Sequence, residues 1–226
     1  LGTVLLERNT TDGIKHGFLV PPKPVGTIKL NLGTVKIKLG DYAPDTLSAL
    51  MLSPIVLSGC VKAVLDNLAG RRCIVFAASV EHGNALAQRF RGAGIKRVYE
   101  VYGDTPSALR EVHYAAVRNN PDSILINNLV LIEGFDLPAL DFVAMFRPTK
   151  NAGLFLQCLG RGLRTCLATG KVDCLVLDAI DAQKAGTPLR VGGRIVLMLG
   201  KGRALLVLDR VVVAHAACVE ARFHTL

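Results

Sequence analysis

An α/β architecture, with a parallel sheet flanked by helices, an N-terminal connector and a C-terminal β-hairpin appendage, is the fold this sequence predicts. Apolar runs of four to six residues alternate with amphipathic stretches of ten or more, the spacing of βαβ units. Half of the 226 residues are apolar, drawn mainly from Val, Leu, Ile and Ala, with 5% aromatics and no Trp. That mixture suits strands covered on both faces. It excludes a chain that is disordered throughout and is ample for one sizeable core.

Residues 1–40 read as a connector. Pro21, Pro22 and Pro24 stiffen it, and period-2 alternation follows over 28–32 and 35–39, predicting two short strands paired as a ribbon around Gly33. Residues 41–182 form the main domain. Helices are predicted over 41–51 and 55–68, ended by Ser53-Pro54 and by Gly70. The regular alternation starts at Arg71: strand 73–77, helix 80–92, strand 97–101, helix 106–119, strand 123–127, strand 141–146, helix 152–164 and strand 174–177. Thr105-Pro106 offers a capping hydroxyl and a first-turn proline to one helix, and the run Asn119-Asn120-Pro121-Asp122 ends it. Residues 183–226 read as a basic appendage, with apolar runs 195–199 and 204–208 split by the basic turn Gly200-Lys201-Gly202-Arg203.

The net charge is +9, and seven basic against two acidic residues place more than half of that excess in 183–226. Such a balance favours an anionic partner. Six cysteines form no CxxC pair and several sit in apolar runs, so reduced thiols are expected, in a chain located in the cytoplasm. The longest uncharged stretch in the first half, 46–61, is short of the ~20 residues a membrane span needs, and no secretory leader is read. No membrane partner is expected. The five histidines are scattered without metal-ligand spacing, so no metal site is read in this chain.

Three constellations carry chemistry. Gln157, Arg161 and Arg164 stand at i, i+4 and i+7, so a helix there sets an amide and two guanidinium groups on one face. Gly160 and Gly162 leave space between them for a phosphate chain or another backbone. Guanidinium forks bind phosphate oxygens and never lose their charge, which suits a nucleoside triphosphate at a domain boundary; a solvated basic helix end is the plain alternative. The run Glu133-Gly134-Phe135-Asp136-Leu137-Pro138 follows a strand end, where open α/β sheets bind ligands. Asp136 offers an acceptor to a ribose hydroxyl or to an arginine, or simply caps a turn. At the next strand ends, Ser79 with its neighbours, and Gly103, Asp104 and Thr105, offer hydroxyls and amides to a nucleic-acid phosphate or serve as helix caps.

Taken in order, 74–90, 102–105, 124–138, Arg147-Pro148-Thr149 and Gln157-Cys-Leu-Gly-Arg-Gly-Leu-Arg164 resemble the second RecA-like domain of superfamily 2 helicases, of the bacterial DNA-repair and type III restriction class. The resemblance covers 71–180, and 10–52 is similar to the connector that leads into that lobe. It implies that Arg164 is the arginine finger and that Arg161 and Gln157 meet the same γ-phosphate of ATP. It places Gly134, Asp136 and Gly160 at the interlobe cleft, with Asp136 near the ribose. Ser79, Gly103, Asp104, Thr105, Asn127 and Asn128 would then face the DNA or RNA backbone. Leu129 and Ile132 depart from the family, which carries a small residue and a threonine there.

No GxxxxGK[ST] motif and no adjacent Asp-Glu pair occurs. ATP and Mg2+ would be held mainly by a first RecA-like lobe, in cis or in trans, and this chain alone is expected not to hydrolyse ATP. The function implied is the second motor lobe of an ATP-dependent helicase or translocase, with DNA or RNA and the first lobe as partners. The alternative is a non-catalytic nucleic-acid-binding or regulatory module that keeps the lobe's shape, in which Arg190, Arg194, Lys201, Arg203 and Arg210 neutralise phosphates. A dinucleotide-binding reading of Gly160-x-Gly162-x-x-Thr165 fits less well, because the segment follows no strand.

Overall fold

The computed structural model describes residues 10–132, 135–181, 189–191, 194–197 and 206–208. After a short helix α1 (Thr10–Lys15), the chain enters β1 (Pro22–Leu30), a hairpin of β2 (Ile37–Lys38) and β3 (Asp41–Tyr42), and helices α2 (Pro44–Met51) and α3 (Pro54–Leu65). The alternating part runs β4 (Arg72–Ala77), α4 (Val80–Gly92), β5 (Val98–Val101), α5 (Ser107–Asn119), β6 (Ser123–Asn127), β7 (Phe142–Phe146), α6 (Ala152–Leu163) and β8 (Cys174–Asp181). A small antiparallel sheet follows, in which β10 (Arg194–Leu197) pairs with both β9 (Leu189–Val191) and β11 (Leu206–Leu208). The pairing of Ile195 with Leu208 is the hairpin the sequence predicts, with a third strand added. Its basic turn lies outside the described residues.

The main sheet has the order β1-β8-β7-β4-β6-β5, and every neighbouring pair is parallel. Its strands are apolar at consecutive positions because both faces are covered. Cys73, Val75 and Ala77 of β4 point into a core shared with α2, α3 and α4. Ile74 and Phe76 point into a second core beneath α5 and α6. The period-2 geometry of a strand alone produces this division.

Two expectations are corrected here. The ribbon around Gly33 does not form: 28–30 belong to β1, which pairs with β8 over Pro22–Leu30, and Ile37–Lys38 pairs instead with Asp41–Tyr42. Part of the connector is thus an edge strand of the main sheet. Pro22 and Pro24 are compatible with that place because an edge strand needs amide donors on one side only, and the register shifts between Pro24 and Gly26. The second correction concerns Thr105, whose hydroxyl does not cap α5. It accepts the Tyr102 amide at 2.9 Å, closing the loop before the helix.

Candidate nucleotide and nucleic-acid faces

Helix α6 starts where Asn151 caps it, accepting the Leu154 amide at 3.1 Å through its side-chain oxygen. Phe155, Cys158, Leu159 and Leu163 recur at helical spacing and are buried against the sheet. At its far end the Leu163 carbonyl accepts the Val20 amide at 2.8 Å, and the Cys174 amide donates to Pro21 at 3.0 Å. The foot of α6 therefore lies beside the starts of β1 and β8.

Both arginines gather at this foot. Arg161, half-buried, donates through Nη1 to the Phe135 carbonyl, and Arg164 pairs through Nη1 with the Asp136 carboxylate. Arg164 is not itself helical: it takes extended dihedrals just past Leu163 and forms a lone antiparallel bridge with Leu19. Gln157 is exposed one turn above Arg161. The loop that receives the arginines leaves β6 at the C-terminal edge of the sheet and then returns along its face, where Phe135 packs on Tyr114 of α5 with ring centroids 4.7 Å apart. The guanidinium groups thus sit on the face covered by α5 and α6, toward the starts of β1 and β8.

The Arg164 side chain is 41% exposed and that of Asp136 68%. An ion pair so open to water contributes about 0–1 kcal/mol, so it holds the guanidinium in place without trapping it. Asp136 meets an arginine, one of the two partners the sequence offers it. The glycines divide in role. A Cβ on Gly162 would run into Val143 and lie 2.6 Å from the Cys174 Sγ, so this glycine lets α6 lie close on β7 and β8; Gly160 faces open space. Gly134 falls outside the described residues. Leu129 has φ +58°, a left-handed conformation that disfavours any side chain and explains why a small residue fits that position.

The candidate nucleic-acid residues lie at the other end of the strands. Ser79 caps α4, accepting the His82 amide at 3.1 Å, and its hydroxyl shares a 2.7 Å hydrogen bond with Ser48 of α2. The loop after β5 is clamped by Arg110, which donates to the carbonyls of Thr105, Tyr102 and Gly103 at 2.8, 2.9 and 2.9 Å, while Gly103 and Asp104 stay exposed. Asn127 is corrected: its side chain is buried and donates to Val75 at 3.1 Å, so of that pair only Asn128 stands partly open.

Sequence reasoning missed Arg110, Arg147 and Asp41. Arg147 donates to the Ala78 carbonyl at 3.0 Å, and burial lowers its pKa against the opposing pull of Asp41. His82 receives the Ala78 amide on Nδ1 at 3.1 Å, and burial holds its pKa down to about 4. Arg147 was legible only as part of Arg147-Pro148-Thr149; Arg110 closes back on the loop just before its own helix, and for Asp41 nothing in the local sequence signals a partner distant in the chain. Burial pushes the Cys60, Cys158 and Cys174 thiols up to about 12, which keeps them neutral, and the described cysteines form no disulfide. Among the described residues no cluster of three metal-ligating side chains occurs, and no single helix is long and apolar enough to cross a membrane.

The family model of the helicase conserved C-terminal domain matches residues 57–166. The chain is 32% identical over 184 residues to a Schizosaccharomyces pombe protein named as a mitochondrial ATP-dependent helicase, irc3, an alignment covering 80% of this chain and 30% of that protein. It is 30% identical over 162 residues to the Saccharomyces cerevisiae protein named as the ATP-dependent helicase IRC3, covering 70% and 23%. A fragment structure of an HsdR subunit of a type I restriction enzyme from Vibrio vulnificus shares the fold, with a TM-score of 0.58 at 19% identity over 74% of this chain and 33% of that one. The chain spans about a third or less of the length of these curated relatives. The segment 57–166, which runs from α3 through the arginine-bearing end of α6, is thus the part of the chain that matches the helicase conserved C-terminal domain.

Proposed function

We propose that this chain is the second motor lobe of an ATP-dependent helicase or translocase, supplying the trans half of an ATP site and half of a nucleic-acid track. The relatives named as ATP-dependent helicases support the use of ATP, with Mg2+, and of DNA or RNA by the complete motor. The observation that carries the reading is the convergence of Arg161 and Arg164 on one loop.

In this reading Arg164 is the finger. Its side chain pairs with a carboxylate open to water, so a γ-phosphate presented by a first lobe can take it over as the lobes close. Arg161 is tied to a backbone carbonyl and positions the loop while presenting a second guanidinium. Gln157, one turn away, reaches the same phosphate, and Gly160 leaves room for its approach. Charge developing on the transferred phosphoryl group is stabilised by the finger, and the first lobe holds Mg2+ and the phosphate chain. Hydrolysis removes the γ-phosphate, Arg164 returns to Asp136, and the lobes part.

The test is nucleic-acid-stimulated ATP hydrolysis by this chain joined to a first lobe. Arg164→Ala is expected to lower kcat by about 10³-fold or more, at the scale of arginine-finger losses, with little effect on folding. An unchanged kcat removes the finger role. The absence of a phosphate loop keeps the passive nucleic-acid-binding module as the second reading; failure of any first lobe to restore hydrolysis selects it.

A further inference from the structure

The hairpin of β2 and β3 presents a group that packing does not explain. Leu39 and Gly40 link the two strands with φ +51° and +82°, the two-residue turn of type I′, in which asparagine-glycine is the favoured pair. A leucine is strained there. Yet the Leu39 side chain packs on nothing: it is 98% exposed, and Ile37 beside it is 59% exposed. Lys36 and Lys38 alternate with them along the first strand, both exposed and neither in an ion pair among the described residues.

The hairpin is also held in a definite place. The Asp41 carboxylate accepts the Thr149 hydroxyl and the Lys150 amide, both at 2.7 Å, tying the hairpin to the loop after β7. The Lys150 ammonium lies 5.4 Å from the centroid of the Tyr42 ring. Helix α2, which follows directly, is joined by Ser48 to Ser79 after β4. Both anchors are at the C-terminal edge of the sheet, the edge that carries the candidate nucleic-acid residues.

We infer that the β2–β3 hairpin is a further nucleic-acid contact, with Leu39 and Ile37 packing on an unstacked base and Lys36 and Lys38 neutralising the phosphates on either side. An apolar tip with two cations on the strand leading to it matches a single strand, whose bases are apolar-faced and whose backbone is anionic. The inference rests on the nucleic-acid track proposed above and adds an element that the helicase domain match, which starts at residue 57, does not include.

The test is fluorescence anisotropy of the full chain with a labelled oligodeoxythymidine of about 20 nucleotides, repeated with oligouridine, across a salt series. Leu39→Asn puts the favoured residue into the turn, so it is expected to melt no lower than the wild type while binding about five-fold more weakly with an unchanged salt slope. Ile37→Thr keeps strand propensity and gives a second reading of the tip. Lys36→Gln with Lys38→Gln is expected to make the salt slope shallower by about 1.4, at ~0.7 per phosphate released. Wild-type affinity in all of these variants overturns the hairpin contact and leaves the track standing. A wild-type chain that binds neither oligonucleotide overturns the track, and the hairpin contact with it. Variants that bind oligonucleotide normally but fail to support hydrolysis with a first lobe assign the hairpin to the interlobe contact and likewise overturn the inference.

Discussion

Ala78 is held from both sides, its amide by His82 Nδ1 at 3.1 Å and its carbonyl by Arg147 at 3.0 Å, and this pins the strand end that leads into the Ser79 cap. The histidine can accept that amide only while Nδ1 is unprotonated, and burial keeps it so by lowering its pKa to about 4. An unfolded histidine takes up its proton near 6.5, before the folded one does. The stability contributed is therefore full above about pH 6.5 and is lost as the pH falls through about 4, with about 3 kcal/mol as its upper limit. His82→Asn keeps an acceptor for Ala78 but does not titrate. Its urea midpoint is expected to lie below that of the wild type at pH ~7 and to change less between pH ~7 and ~5; equal slopes in the two proteins would show that His82 titrates normally. Asp178 acts in the opposite sense. Burial raises its carboxyl to about 7, so the stability its protonated form contributes is full below about pH 4 and is lost as the pH rises through about 7.

Within α6, the element that carries the candidate chemistry, two glycines separated by one residue do different things. Gly162 faces β7 and β8 at a distance no side chain tolerates, whereas Gly160 faces open space. Gly162→Ala is expected to cost about 1–3 kcal/mol by forcing the helix off the sheet. Gly160→Ala is expected to add up to about 1 kcal/mol by removing backbone freedom from a helix interior. Thermal melts of the two variants, shifting in opposite directions, check both; a Gly162 variant as stable as the wild type would contradict the packing. The helical spacing of Gln157, Arg161 and Arg164 was legible in the sequence, but it does not account for how the two arginines meet. Arg164 lies past the helix end, and it joins Arg161 because the 135–136 loop folds back to meet both. A helical wheel contains no information about such a loop.

At the scale of the whole molecule, β1 decides where the domain begins. Eight register pairs link Pro22–Leu30 to β8, so this segment closes one edge of the sheet. Removing residues 1–30 would leave β8 as an exposed parallel edge whose residues are buried on both faces, and such an edge recruits other chains. The truncated protein is expected to self-associate where the full chain does not, as read by size-exclusion chromatography. A monodisperse truncation would return these residues to the status of a connector.

The alternation of apolar runs with amphipathic stretches determined that strands and helices would alternate and that the sheet would be parallel, because strand burial on both faces and crossover helices both leave local marks in composition and period. The order β1-β8-β7-β4-β6-β5, the partnering of Ser79 with Ser48 and of Asp41 with Thr149, and the burial of Asn127 were decided only by tertiary structure. Each depends on residues tens of positions apart meeting in space. A hydroxyl or carboxylate reads the same in sequence whether its hydrogen bond goes to a ligand or to a distant part of its own chain.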